Sequence, residues 1–91
     1  MQLARNLADE FGPRGVRVNC IAPGLIRTDF AKALWDNPDT LKRSTAMASL
    51  RRIGEPNEIA GAAVLLASKG GAFITGQTIV IDGGTTISGG A

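Results

Sequence analysis

The 91-residue sequence contains no histidine and only one cysteine, Cys20. Without histidine there can be no imidazole general base, no His-based triad and no His metal site, and no metal is expected. A single cysteine cannot close an internal disulfide. Set in an apolar strand, Cys20 is expected to be a small buried side chain. A lone thiol suits a reducing compartment, so the expected location is cytoplasmic. No apolar run approaches the roughly 20 residues of a membrane span. The opening "MQLARNLADE" has the pattern of an amphipathic helix rather than a signal peptide, and the closing "SGGA" matches no targeting signal. Charge is sparse too. Ten Lys and Arg stand against eight Asp and Glu, a net of +2. Adjacent basic residues occur only as Lys42–Arg43 and Arg51–Arg52, and no aromatics interleave with Arg51 and Arg52. Neither nucleic acid nor membrane is therefore expected as a partner.

What remains is enough for one globular domain at most: hydrophobic residues make up 44% of the chain, and twelve glycines mark turns. Leu3, Leu7 and Phe11, with Ala4 and Ala8 beside them, form one face of a helix stopped by Gly12 and Pro13. That helix starts at residue 1 without a cap, as if cut from a longer one. Val16 to Ala22 reads as a strand covered on both faces, ended by Pro23 and Gly24. Thr28 or Asp29 can cap a short helix carrying Phe30, Leu34 and Trp35. Asn37 and Pro38 open a helix reaching Met47 or Ser49, and Arg51 to Glu55 is a loop. Pro56 begins a helix ending near Ser68. Its apolar residues lie nearly all round, which predicts burial on most sides by its own domain or by another subunit. Gln77 to Asp82 is a second strand, and Thr85 to Ala91 reads as a loose, Gly-rich tail. Two strands separated by helices should lie parallel, joined by a right-handed crossover. Such a pair with about four helices is an α/β arrangement incomplete as a domain, because a two-stranded parallel sheet needs neighbours and covering layers.

The stretch "APGLIRTDF" carries the chemistry. Pro23 fixes φ, and Gly24 allows positive φ and a close approach of backbone to ligand. N–H groups around Ile26 then face one way, and Thr28 places a hydroxyl at the next turn. A carboxamide needs a donor and an acceptor in fixed positions, which this loop can provide. Equally, Pro-Gly can do no more than end a strand while Thr28 caps a helix.

The strings "LADEFGPRGVRVNCIAPGLIRTDF", "RRIGEPNEIAGAAVLLAS" and "FITGQTIVIDGG", in that order and at that spacing, resemble the C-terminal part of the short-chain dehydrogenase/reductase family over nearly all 91 residues. The resemblance implies a Rossmann-type doubly wound parallel sheet, of which the two strands here are the last two. It implies hydride exchange between NAD or NADP and a small-molecule alcohol or carbonyl, and the whole chain (1–91) is then the C-terminal portion of an NAD(P)-binding domain. By the same resemblance Pro23, Gly24, Ile26 and Thr28 bind cofactor beside the nicotinamide. Residues 30–53 cover the substrate, with Phe30, Leu34, Trp35 and Met47 as pocket residues or, equally, as core. Asn19 reads as structural.

The family's Gly-x-x-x-Gly-x-Gly turn has no counterpart among the glycines here. Its catalytic Tyr, with Lys four residues later, has none either, since the chain contains no Tyr and Lys32, Lys42 and Lys69 fall in the wrong segments. "GGTTISGGA" mimics part of a phosphate loop but lacks its Lys and following helix. No catalytic residue is therefore assigned. The chain by itself is expected to bind neither NAD nor NADP tightly, and to associate as a homo-oligomer or with a missing N-terminal half. Two other readings are a non-catalytic interaction module and a small independent nucleotide-binding protein. Hydride transfer to a carbonyl needs a proton donor at the developing alkoxide and a dinucleotide held nearby. The expected outcome of incubating the purified chain with NADH or NADPH and a carbonyl substrate is no turnover, followed by nicotinamide absorbance in a preparation free of any full-length enzyme.

Overall fold

The computed structural model describes residues 1–88. In order, its elements are α1 (Gln2–Phe11), a 3-10 turn (Gly12–Arg14), β1 (Cys20–Pro23), α2 (Lys32–Trp35), α3 (Pro38–Thr45), α4 (Pro56–Ala67), a second 3-10 turn (Lys69–Gly71), β2 (Thr78–Ile81) and α5 (Thr85–Ser88). The two strands pair in one parallel sheet, as the helical connection between them predicts. The chain folds as two compact units, Met1–Ala22 with Ala60–Val80, and Pro23–Ile59 with the chain from Ile81.

In the first unit α1 buries Ala4 and Ala8 and leaves Leu3 exposed. Ala8 packs so near Gly76 that a Cβ there would meet it at 3.5 Å. Helix α1 stops at Phe11 with Gly12 as its C-cap, where the Gly12–Pro13 pair predicts, and Gly12 itself stays right-handed. The left-handed residue is Gly15, at φ 78, after the turn that carries Pro13. The expected strand from Val16 is shorter, beginning at Cys20 and taking in Pro23. A strand exists only where a neighbour completes its ladder, and β2 starts only at Thr78. Residues 16–19 are held by other bonds instead. Val18 N–H donates to Thr75 Oγ1 (3.1 Å), and Asn19 spans the loop opposite by donating to the Ile74 carbonyl (2.9 Å) and accepting from Gln77 N–H (3.1 Å). Asn19 is thus structural, as its position suggested. Cys20, expected buried, is only half-buried. Helix α4 begins at Pro56 as predicted and ends at Ala67, where the Ser68 hydroxyl takes up Gly70 N–H (3.2 Å). None of its residues is buried, and Val64 is 68% exposed, so its own chain does not cover its apolar surface.

In the second unit Asn37 caps α3, its side chain accepting from the N–H groups of Asp39 (2.9 Å) and Thr40 (3.3 Å), with Pro38 in the first turn. The helix stops at Thr45 rather than at Met47 or Ser49. Past that point the chain is drawn off its axis, because Leu50 N–H donates to the Gly83 carbonyl (3.0 Å) and Thr45, Ala48 and Ile53 are buried. Helix α2 starts at Lys32 and leaves Phe30 outside it. Thr28 caps the preceding turn, its hydroxyl accepting from Ala31 N–H (3.2 Å). The loose tail is overturned over Thr85–Ser88, where α5 forms because the Asp82 carboxylate accepts from the N–H groups of Gly84 (3.0 Å) and Thr86 (2.9 Å). The rest of that tail, residues 89–91, lies outside the described residues. Among the described residues no helix is long and apolar enough to cross a membrane.

The start of α4 is tied to the loop before it. Glu58 reaches back to accept from Glu55 N–H (2.9 Å), one half of a capping box. Arg52 grips the same carboxylate with both terminal nitrogens, each at 2.8 Å. The Arg52 hydrogen bond, and then the Glu55 N–H, pull the Glu58 carboxyl from an ordinary 4.5 down to about 2. A depressed carboxyl stabilises the fold fully above its unfolded value and loses that contribution as pH falls. The loop 52–58 should therefore loosen between pH 4.5 and about 2, read by carboxyl NMR and circular dichroism. The substitution Glu58→Gln should remove that step.

Candidate nicotinamide-side loop

Pro23 closes β1, and Gly24 N–H donates to the Ile81 carbonyl at 2.8 Å. A Cβ at Gly24 would stand 2.7 Å from the Cα and Cβ of Asp82, so the backbone can lie this close only as glycine. The Asp82 carboxyl is held below its ordinary value by the Thr86 hydroxyl first, then by the N–H groups of Thr86 and Gly84. It is thus a fixed anion at the foot of the loop.

Beyond Gly24 the chain meets the loop before α4. Gly54 N–H donates to the Leu25 carbonyl (3.0 Å), and Arg27 N–H donates to the Gly54 carbonyl (2.9 Å). Together they make an isolated parallel bridge between Ile26 and Gly54. In such a bridge the central residue turns its own N–H and C=O to the opposite side. Among the described residues Ile26 has no hydrogen bond on that side. A donor and an acceptor therefore stand together on a rigid piece of backbone. Gly54 is small of necessity, since a Cβ there would come 2.8 Å from Ile26 Cδ1.

Pro23, Gly24, Ile26, Thr28 and Phe30 line one open groove of about 470 Å³, completed by Leu25, Ala31, Pro56 and Ile59. The wall is almost wholly apolar and contains no ionisable side chain. The Thr28 hydroxyl accepts from Ala31 N–H, which leaves its own proton available as a donor. Phe30 is fully exposed at the rim. Leu34, Trp35 and Met47 fall outside this lining. Leu34 and Met47 are exposed. Trp35 lies under Arg27, whose guanidinium carbon is 5.1 Å from the ring centroid, and its indole N–H donates to the Thr28 carbonyl at 2.9 Å. Arg27 also pairs with Glu55 at 2.9 Å. Sequence reasoning missed Arg27, Gly54 and Glu55. Their partners lie some 27 to 29 residues away and leave no periodic signature. A glycine set between Ile53 and the Pro56 helix start was the only available hint.

Sequence comparison matches residues 1–86 to a family model described as Enoyl-(Acyl carrier protein) reductase. The bovine (Bos taurus) dehydrogenase/reductase SDR family member 4 is 46% identical over 83 residues, 91% of this chain and 30% of that protein. The structure of 4-hydroxyisoleucine dehydrogenase complexed with NADH superposes with a TM-score of 0.89 at 38% identity, covering 93% of this chain and 35% of that one. The Pseudomonas aeruginosa RhlG/NADP active-site complex gives a TM-score of 0.87 at 37% identity over 94% and 35%. The chain thus spans about a third of the length of the proteins it matches. Those solved structures are α/β Rossmann-fold dehydrogenases, and this sheet corresponds to part of theirs. A match across 86 of 91 residues, with the loop geometry above, places the chain in the short-chain dehydrogenase/reductase family of oxidoreductases.

Proposed function

We propose that this chain forms the nicotinamide-side and substrate-covering part of an NAD(P)(H)-dependent oxidoreductase acting on a small alcohol or carbonyl. The observation that carries this is the outward-turned N–H and C=O of Ile26 at the rim of an apolar groove, with the Thr28 hydroxyl beside them. A nicotinamide carboxamide offers the complementary acceptor and donor, so the donor set fits the cofactor. When bound, the dinucleotide supplies or accepts the hydride. Ile26 and Thr28 fix the carboxamide, Pro23 and Gly24 let the ring edge approach the backbone, and the apolar wall excludes water. Phe30 belongs to the substrate side of the groove, while Leu34 and Met47 present apolar side chains on the cover and Trp35 braces its base. The group that moves the proton is not assigned to this chain. A cytoplasmic site of action is supported by the unpaired Cys20.

Titrating the chain with NADPH into the high millimolar range, as the weak binding expected of it requires, while following backbone amide NMR signals should shift Ile26 and Thr28. Thr28→Val should weaken that isotherm roughly fivefold, the worth of about one hydrogen bond. Saturating NADPH that leaves the Ile26 amide unmoved would remove the reading.

One observation favours a second role. Val64 and Leu65 of α4 are 68% and 46% exposed, and an apolar helix left this open favours association with a second copy or with a longer partner. The chain should sediment as an oligomer, and Val64→Asp should shift it toward monomer. A wild-type chain monomeric at every concentration would count against an interaction module.

A further inference from the structure

The groove is braced by three side chains that do not line it. Arg27 lies between Ile26 and Thr28 in sequence, and its main chain is already fixed by its N–H bond to the Gly54 carbonyl. Its side chain makes two further contacts. Nε donates to Glu55 Oε1 at 2.9 Å, and the guanidinium lies over the Trp35 ring at 5.1 Å. Trp35 then returns to the loop, its indole N–H donating to the Thr28 carbonyl at 2.9 Å. The circuit closes on the residue next to where it began: Glu55 holds Arg27, Arg27 holds Trp35, and Trp35 holds Thr28. The Thr28 hydroxyl accepts from Ala31 N–H. Both oxygens of Thr28 are therefore engaged: the indole holds its main-chain carbonyl, and Ala31 N–H holds its hydroxyl.

We propose that Arg27, Trp35 and Glu55 act as a positioning clamp that fixes Thr28, and with it the start of the covering segment, for the nicotinamide carboxamide. This rests on the reading of Ile26 and Thr28 given above. None of the three lines the groove, so each acts through Thr28 rather than on the ligand. The arrangement calls for Arg in particular. A planar guanidinium can pair edge-on with a carboxylate while its face covers an indole, whereas a Lys ammonium keeps the charge and loses the stacked plane.

The chain has one Trp and no Tyr, so its intrinsic emission reports Trp35 alone. Quenching of that emission by acrylamide, which is uncharged and so blind to the charge changes, reads whether the clamp is formed, and the NADPH isotherm at the Ile26 and Thr28 amides reads what it does. Relative to wild type, Arg27→Gln and Glu55→Gln should both raise quenching toward that of free tryptophan. They should also weaken the isotherm roughly fivefold, the combined scale of one exposed ion pair and one cation–π contact. Arg27→Lys should fall between wild type and Arg27→Gln on both readouts, and amide signals of residues 1–22 should stay in place, which separates loss of the clamp from unfolding. Unchanged quenching in both Gln variants would overturn the clamp. Raised quenching with an unchanged isotherm would overturn its positioning role and leave the carboxamide reading intact. A wild-type chain whose Ile26 amide ignores NADPH would overturn the carboxamide reading and the positioning role with it, a failure recognisable because it appears before any substitution is made.

Discussion

One backbone bridge governs the unit of this chain built from Pro23–Ile59 and the chain from Ile81. The Leu25–Gly54 and Arg27–Gly54 hydrogen bonds lock Ile26 beside Gly54 and close a neck under residues 28–53. Two consequences follow from the same pair of bonds. Ile26 has its polar backbone atoms pointed away from the neck, and the segment that follows leaves from a fixed point. Close glycines make the bridge possible. Gly54 admits Ile26, and Gly24 admits the backbone of Asp82. Where side chains would ordinarily keep segments apart, their absence lets main chain meet main chain.

The paired charges of this region hold loops together. Arg27–Glu55 and Arg52–Glu58 are both exposed pairs, of a kind worth little individually to global stability. Their value lies in where they sit. One ties each side of the neck to the residues before α4, and the other fixes the first turn of that helix. The groove itself is left without an ionisable wall. An uncharged group can enter it without leaving a buried charge unpaired.

Local chemistry made part of this readable in advance. Asn37 and Pro38 announce α3 because a cap and a first-turn proline act within three residues of each other. Pro56 announces α4 for the same reason. The turn after β1 was legible from Pro23 and Gly24, and the local cap from the Thr28 hydroxyl. What escaped was decided at long range. Val16 to Asn19 have strand-forming residues but meet residues 74–77 through side-chain bonds and a single backbone bond from Gly76 N–H to the Val18 carbonyl. Met47 and Ala48 suit a helix, yet the bonding of Leu50 to Gly83 pulls them out of one. Thr85 to Ser88 reads as loose because the Asp82 side chain that organises them reads as the end of a strand. The Ile26–Gly54 neck and the Arg27–Trp35 contact join residues with no periodic relation. Propensity could not have shown them.

The neck also bears on how proteins built this way can diversify. A loop whose two ends are pinned side by side has already met most of its closure entropy, and each doubling of its length adds only about 0.6 kcal/mol. Insertions and deletions between Thr28 and Ile53 can therefore accumulate at little thermodynamic cost while Ile26 and Gly54 stay put. Change can be concentrated in the stretch above the neck without disturbing the backbone of Ile26 and Gly54 that closes it.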